Sequence, residues 1–244
     1  MRYLILSDIH ANLAAFDAVL ADVGHFDKIW CLGDMVGYGP QPNECIERLR
    51  ELPHICVAGN HDWAALGKLS DSDFNPDAQW ACRWTQEKLS PENFEYLDNL
   101  PMTLIEEGFT LVHGSPRQPI WEYILYPSIA TSNFAYFDTQ ICFVGHTHTP
   151  VIFRYEHSDS DGTCLPFPLP QGNPLSLGEE RMIINPGSVG QPRDGDPRAS
   201  YAILDTDEAT LQYHRIPYPI EITQREMMEE GLPIRLIARL GYGW

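Results

Sequence analysis

The chain opens with short apolar runs alternating with amphipathic stretches. Residues 3–6, 29–32 and 55–58 are continuous apolar runs of the length of a buried strand. Between the first two, Leu13, Phe16, Val19, Leu20 and Val23 recur at the 3.6-residue spacing of one helix face, and Asn12 stands where that helix opens. Between the second and third, Pro42 suits a first helical turn, with Ile46 and Leu49 directed inward. This βαβαβ order predicts an α/β protein with a parallel sheet covered by helices. Residues 75–99 predict two helices that meet at Ser90-Pro91, where Ser caps and Pro occupies the first turn.

From residue 102 the pattern turns mostly to strands, near 102–106, 109–112, 141–144, 150–155, 181–185, 200–205 and 209–215. The segment 158–180, rich in Pro, Gly, Ser and Asp, predicts a long exposed excursion from a hairpin. A helical pattern over 221–240, broken at Gly231-Leu232-Pro233, predicts a helical pair. The expected organisation is therefore one domain over 1–215, with the excursion at 156–180, and a helical extension over 216–244 that packs on the same body. The apolar stretch 121–126 fits an interface, a pocket wall or the interior.

Charge and composition then narrow the partners. With 244 residues, 43% apolar, the chain can bury a substantial core. Lys plus Arg is 16 against 34 for Asp plus Glu, a balance of -18. Such a field repels long nucleic acid, yet it admits a small phosphorylated substrate where bound divalent cations reverse the local potential. The six cysteines form no CxxC pair, and Cys31, Cys56 and Cys142 lie within apolar runs, so free thiols and a reduced, cytoplasmic setting are expected. No apolar run reaches 18 residues and no cleavable signal precedes the first strand, so neither a spanning helix nor a membrane partner is expected. Oligomeric state is not written in these patterns.

The candidate chemistry sits where the apolar runs stop. Five segments, Asp8-Ile9-His10, Gly33-Asp34, Gly59-Asn60-His61-Asp62, Val112-His113-Gly114 and Gly145-His146-Thr147-His148, each follow or end such a run. Strand ends are where an α/β fold gathers residues distant in sequence. Two-residue alternation would turn Asp8 and His10 to one face, and likewise His146 and His148. One oxygen of Asp34 could bridge two cations, and Asn60 offers a neutral carbonyl oxygen. His61 would then face the substrate, with Asp62 placed to fix its tautomer. The remaining histidines, His25, His54, His157 and His214, fit surface or satisfied-core roles. A ligand set of O and N without Cys suits manganese, iron, nickel, cobalt or catalytic zinc without choosing among them, and manganese is the expected ion.

In this order the segments read DxH, GDxxG, GNHD, VHG and GHTH, a series that resembles the calcineurin-like metallophosphoesterase superfamily. Residues 32–40 and 185–193 are similar to its small prokaryotic phosphodiesterase/phosphatase branch. The resemblance implies two packed mixed β-sheets flanked by helices, a four-layer sandwich with metals at the strand ends. It implies one metal on Asp8, His10, Asp34 and His148, and a second on Asp34, Asn60, His113 and His146, with His61 as general acid. A hydroxide bridging the two divalent ions would attack a phosphodiester or nucleotide. Arg193 is a candidate for contacting substrate phosphate, and Asn12 and Tyr38 for lining the pocket. The alternatives are a phosphomonoesterase, of protein Ser/Thr phosphatase or dinucleoside polyphosphate hydrolase type, and a non-catalytic metal-binding scaffold.

Overall fold

The first strand, β1 (Arg2–Leu6), buries both faces, which is why it reads as a continuous apolar run rather than an alternating one. Tyr3 and Ile5 point to one side, and Leu4 and Leu6 to the other. A computed structural model describes residues 1–156 and 162–244.

Beside β1 lie β2 (Lys28–Cys31) and β3 (His54–Cys56), both parallel to it. The helices between them, α1 (Leu13–Asp22) and α2 (Pro42–Arg50), cover the Leu4 and Leu6 face with Phe16, Val19, Ile46 and Leu49. The chain returns to this sheet near its end. There β11 (Ala199–Asp205) pairs antiparallel with β1, β12 (Thr210–Ile216) pairs with β11, and the short β9 (Leu175–Ser176) closes the edge. The strand order is β3-β2-β1-β11-β12-β9.

The second sheet runs β4 (Thr103–Glu106), β5 (Phe109–Val112), β6 (Ile141–Phe143), β10 (Met182–Asn185), β7 (Val151–Glu156) and β8 (Thr163–Phe167). Its central strands β5, β6 and β10 are parallel and the flanking pairs antiparallel. The two mixed sheets pack face to face through Tyr3, Ile5, Trp30 and Leu32 on one side and Leu111, Phe143, Ile152 and Ile184 on the other. Helix α6 (Pro127–Asn133) covers the outer face of the second sheet with Ala130. The result is the expected arrangement of helix, sheet, sheet and helix.

Further helices frame one end. The short α3 (Asn60–Ala65) starts inside the Gly-Asn-His-Asp segment, and α4 (Pro76–Lys88) and α5 (Pro91–Asp98) follow, each capped by the Asn or Ser before its proline. Helices α7 (Ile220–Glu229) and α8 (Ile234–Arg239) separate at the Gly-Leu-Pro break, and Met227, Leu236 and Ile237 pack with Ala78, Ala81 and Trp84 of α4.

Two features differ from expectation. The described part of 158–180 is mostly exposed, yet it is not a structureless excursion: β8 and β9 extend the two sheets, and Cys164 and Leu169 are buried. Pro166 disguised β8, but an edge strand tolerates a missing N–H. Residues 157–161, including His157, lie outside the described residues. The short helices α3 and α6 were unforeseen, since six or seven residues hold too little periodicity to announce a helix. All six cysteines are free and buried, and among the described residues no helix is long and apolar enough to cross a membrane.

Candidate metal centre

All five polar segments converge at one end of the two sheets, and their side chains are almost entirely buried: Asp8, His10, Asp34, Asn60, His113, His146 and His148 are each at most 2% exposed. The route to convergence differs from two-residue alternation. Strands β1 and β6 stop at Leu6 and Phe143, and Asp8, His10, Asp34, His146 and His148 adopt left-handed backbone angles, with φ between 50° and 65°. Such angles cost roughly 1–3 kcal/mol each for a residue with a Cβ, and they persist where surrounding structure enforces them. Here the loops are laced together. Asp8 N–H bonds Gly33 O, His10 N–H bonds Asp34 O, and the Ser188 hydroxyl donates to Asp8 O. At Gly145 a Cβ would lie 1.9 Å from Ser7 Oγ, so only glycine lets these two loops meet.

Hydrogen bonds on the far side of each imidazole decide what its near nitrogen offers. His10 Nδ1 and His148 Nδ1 lie 3.0 Å and 2.5 Å from the carbonyls of Val36 and Gln191, to which they can only donate. Their two Nε2 atoms therefore face each other as lone pairs, 3.2 Å apart. Asp8 Oδ1 sits 3.2 Å from His148 Nε2, and Asp34 Oδ2 sits 3.6 Å from His10 Nε2. Both of these carboxylate oxygens are buried without a hydrogen-bond donor.

A second group repeats the pattern. His113 Nδ1 donates to Leu32 O at 2.8 Å, and His146 Nε2 donates to Trp121 O at 3.1 Å. In neutral His113 the lone pair of Nε2 then lies 3.1 Å from His146 Nδ1, 3.1 Å from Asn60 Oδ1 and 3.3 Å from the same Asp34 Oδ2. Asp34 Oδ1 is occupied by the His61 N–H at 2.8 Å, which leaves Oδ2 as the oxygen common to both groups. Each group thus brings four acceptors together, an arrangement that repels itself unless a positive centre lies between. Divalent cations that accept neutral imidazole, carboxylate and amide oxygen fit both groups.

The protonation of the site agrees. Burial pushes His10, His148 and His146 below the usual histidine range, the last to about 3, so each is held as the neutral ligand form. Burial opposes ionisation of Asp8 and Asp34 too, but the His113 charge acts on both and the Ser7 hydroxyl donates to Asp8 Oδ2, so both carboxyls are held low. His113 alone is raised, to about 9, because Asp34 outweighs its burial. Without a cation, one proton on His113 is what balances the Asp34 oxygen, and a bound cation would displace it.

The other expected residues are sorted by their contacts. His61 lies beside the first group, its ring edge-on to His10 with centroids 4.9 Å apart. Burial pushes it down to about 4. Asp62 does not serve the His61 ring. Its carboxylate takes the backbone N–H groups of Asp34 and Gly59, each at 2.9 Å, and of Val36 at 3.2 Å, so it ties the β2 and β3 loops together. Asn12 is likewise committed to structure. Its Oδ1 caps α1 at Ala15 and accepts from Thr223 of α7, and its Nδ2 donates to Gly190 O. Being 1% exposed with both polar atoms used, it has nothing left for a substrate.

Tyr38 packs between the His61 ring (4.3 Å) and the Arg193 guanidinium (5.7 Å), forming a wall of the centre. Arg193 donates to Gln191 Oε1 at 2.9 Å and keeps a buried Nε without a partner, and its charge bears on His10, His61 and His148. Sequence reasoning passed over other contributors. Within the 121–126 stretch Tyr123 stacks on His146 at 3.8 Å as a wall of the site, Ile124 is buried in the core, and Leu125 and Tyr126 are exposed. Asn185 donates to Gly145 O and the Thr147 hydroxyl, bracing the His-x-His loop. An aromatic run beside a histidine segment was the one available sign of Tyr123. The histidines outside the segments behave as expected where described: His25 is exposed, His54 bonds Leu52 O and the Tyr96 hydroxyl, and His214 stacks on Tyr201.

Comparison with known proteins shows the family. The chain is 40% identical over 247 aligned residues to an uncharacterised protein of Methanocaldococcus jannaschii, covering 98% of this chain and 97% of that one. The crystal structure of a metallophosphoesterase from Sphaerobacter thermophilus superposes with a TM-score of 0.91 at 52% identity, covering all of both chains. A shorter stretch of 76 residues, 25% of this chain and 26% of the other, is 32% identical to the symmetrical bis(5'-nucleosyl)-tetraphosphatase of Pseudomonas putida. The family model described as the calcineurin-like phosphoesterase superfamily domain matches residues 1–209. That match takes in every converging segment, and with the full-length structural likeness it makes the chain a member of the calcineurin-like phosphoesterase superfamily, a metal-dependent phosphoric ester hydrolase.

Proposed function

We propose that the chain hydrolyses small phosphodiesters or nucleotides, using two divalent cations held by the two acceptor groups and His61 as general acid. The observation that carries this reading is the pair of four-acceptor groups meeting at one oxygen, Asp34 Oδ2. Asp8, His10, Asp34 and His148 would hold one cation, and Asp34, Asn60, His113 and His146 the other. When bound, such cations supply positive charge for phosphoryl oxygens and lower the pKa of water to near neutrality. Manganese suits the mixed oxygen and nitrogen set.

The chain's own residues complete the work. His61 stands next to the shared carboxylate, and its backbone N–H fixes Asp34 Oδ1 so that Oδ2 points between the groups. A proton passed from His61 to the leaving oxygen avoids expelling a free alkoxide, a contribution of about 10²–10⁴ in rate. Arg193 presents a partly unsatisfied guanidinium at the edge, suited to a non-bridging phosphate oxygen. Tyr38 and Tyr123 wall the centre and limit water around the reacting phosphorus.

A second reading, hydrolysis of phosphomonoesters or dinucleoside polyphosphates, draws on the short match to the Pseudomonas tetraphosphatase. The deciding experiment is turnover of bis-p-nitrophenyl phosphate beside p-nitrophenyl phosphate by metal-stripped protein reloaded with manganese. Faster, metal-dependent cleavage of the diester is the expected result. Faster cleavage of the monoester transfers the assignment to the second reading, and turnover indifferent to metal removal overturns both.

A further inference from the structure

His61 is enclosed on one side in a way its sequence neighbours do not suggest. Its Nδ1 lies 3.5 Å from Sγ of Cys82, a residue of α4 that is 2% exposed. Gly37 closes the same side, where a Cβ would come within 2.7 Å of Nδ1. Tyr38 and Phe74 pack on the ring at 4.3 Å and 5.2 Å, and His10 meets it edge-on. The nearby carboxylate of Asp62 is spent on three backbone N–H groups. Nδ1 is thus enclosed by Cys82 and Gly37, which makes Nε2 the nitrogen to be offered to a substrate.

We propose that Cys82 is the positioning residue for His61: its sulfur accepts the Nδ1–H, holding the ring in one orientation and making Nε2 the nitrogen that exchanges a proton. This rests on the reading of His61 as general acid. In the step itself Nε2 of the resting neutral ring first takes a proton from solvent; that Nε2–H bond of the imidazolium then breaks and an O–H bond forms on the leaving oxygen, which keeps the electron pair of its broken P–O bond. His61 ends neutral, with its remaining proton still on Nδ1 against Cys82. Only the acceptor role of the sulfur is compatible with that balance, since a thiol donating to Nδ1 would require the ring to finish as an anion or the sulfur as a buried thiolate. Sulfur is a weak acceptor and brings no negative charge, so it orients the ring without making it a poorer acid, as a carboxylate partner would.

The test has a spectroscopic and a kinetic part. In metal-free protein labelled with ¹⁵N-histidine, neutral His61 is expected to show a protonated, pyrrole-type Nδ1 and a pyridine-type Nε2. Cys82→Ala should move the proton toward Nε2, and Cys82→Ser should hold it on Nδ1. In manganese-loaded protein, Cys82→Ala should lower kcat for an ester with an alkyl leaving group about tenfold, and for the matching p-nitrophenyl ester less than about twofold, because a poor leaving group needs the acid. KM should stay constant and Cys82→Ser should restore most of the loss. A wild-type spectrum with the proton on Nε2 overturns the proposal, and it needs no substitution to fold. So does Cys82→Ala with both rates reduced equally or unchanged while His61→Ala still discriminates between leaving groups. Equal losses on both esters in His61→Ala would instead overturn the general-acid reading beneath it.

Discussion

Asp62→Asn separates two accounts of one carboxylate. The side chain is fully buried, with Oδ2 shared between the N–H groups of Asp34 and Gly59 and Oδ1 on that of Val36. Burial and the Asp34 charge push its carboxyl up and the three N–H groups work against that rise, so the comparison belongs at alkaline pH, where the carboxyl is ionised. Asparagine keeps one oxygen for two of the donors and turns an N–H₂ toward the third, so one charge-assisted bond becomes a donor–donor contact. Hydrogen bonds to a charged group contribute about 1.5–3 kcal/mol, and the two that remain weaken to neutral bonds. Set against the relief of not burying a charge, the net loss is about 2–4 kcal/mol. For a chain of this size that lowers Tm by roughly 5–15 °C. Asp62→Ala, which strands all three donors, should lose more.

The assay is guanidinium and thermal unfolding of metal-free protein, with metal content and turnover measured in parallel after reloading. Because Asp62 holds the backbone of Asp34, metal affinity and turnover should fall together with stability. Unfolding changed by less than about 1 kcal/mol, with metal content intact and only kcat lost, would refute this reasoning and return Asp62 to the role of tautomer partner for His61.

Other consequences follow from the same geometry. Chelation should lower Tm, by an amount set by saturation: a site filled at 100 times its Kd adds about 2.7 kcal/mol, and Asp34→Asn should abolish most of that increment because both groups share its Oδ2. An unchanged melting curve after complete metal removal would count against two built cation sites. His61→Ala should retain its metal by elemental analysis yet lose about 10²–10⁴ in kcat on esters with poor leaving groups; undiminished turnover of such esters would remove His61 from the chemistry. Glu122, bonded to Ser115, Asn133 and Arg117, has its carboxyl lowered despite burial. Its contribution is therefore complete above its unbound value of 4.5 and is lost as pH falls through the depressed folded value. Below that window Tyr123 should loosen from His146, and Glu122→Gln should flatten the acid limb of a stability profile; identical acid limbs in variant and parent would refute the link.

What the sequence determined by itself was the set of parts. Doubly buried strands such as β1 and β2 read as continuous apolar runs, so the parallel half of the first sheet was legible, and every metal-binding candidate lay just past such a run. Side-chain type is local information, and a resemblance spread over five segments compounds it. What only the tertiary structure decided was which atoms meet. The left-handed turns at Asp8, His10, Asp34, His146 and His148 depend on loops that brace one another across more than a hundred residues, so two-residue alternation named the right residues for the wrong reason. The partners of Asn12, Asp62 and His61 escaped notice for the same cause: each spends its hydrogen bonds on groups remote in sequence or on backbone, which residue spacing does not encode. Short edge strands such as β8 and β9 were hidden too, because their pairing comes from a neighbouring strand already in place and leaves almost no periodic trace in the chain.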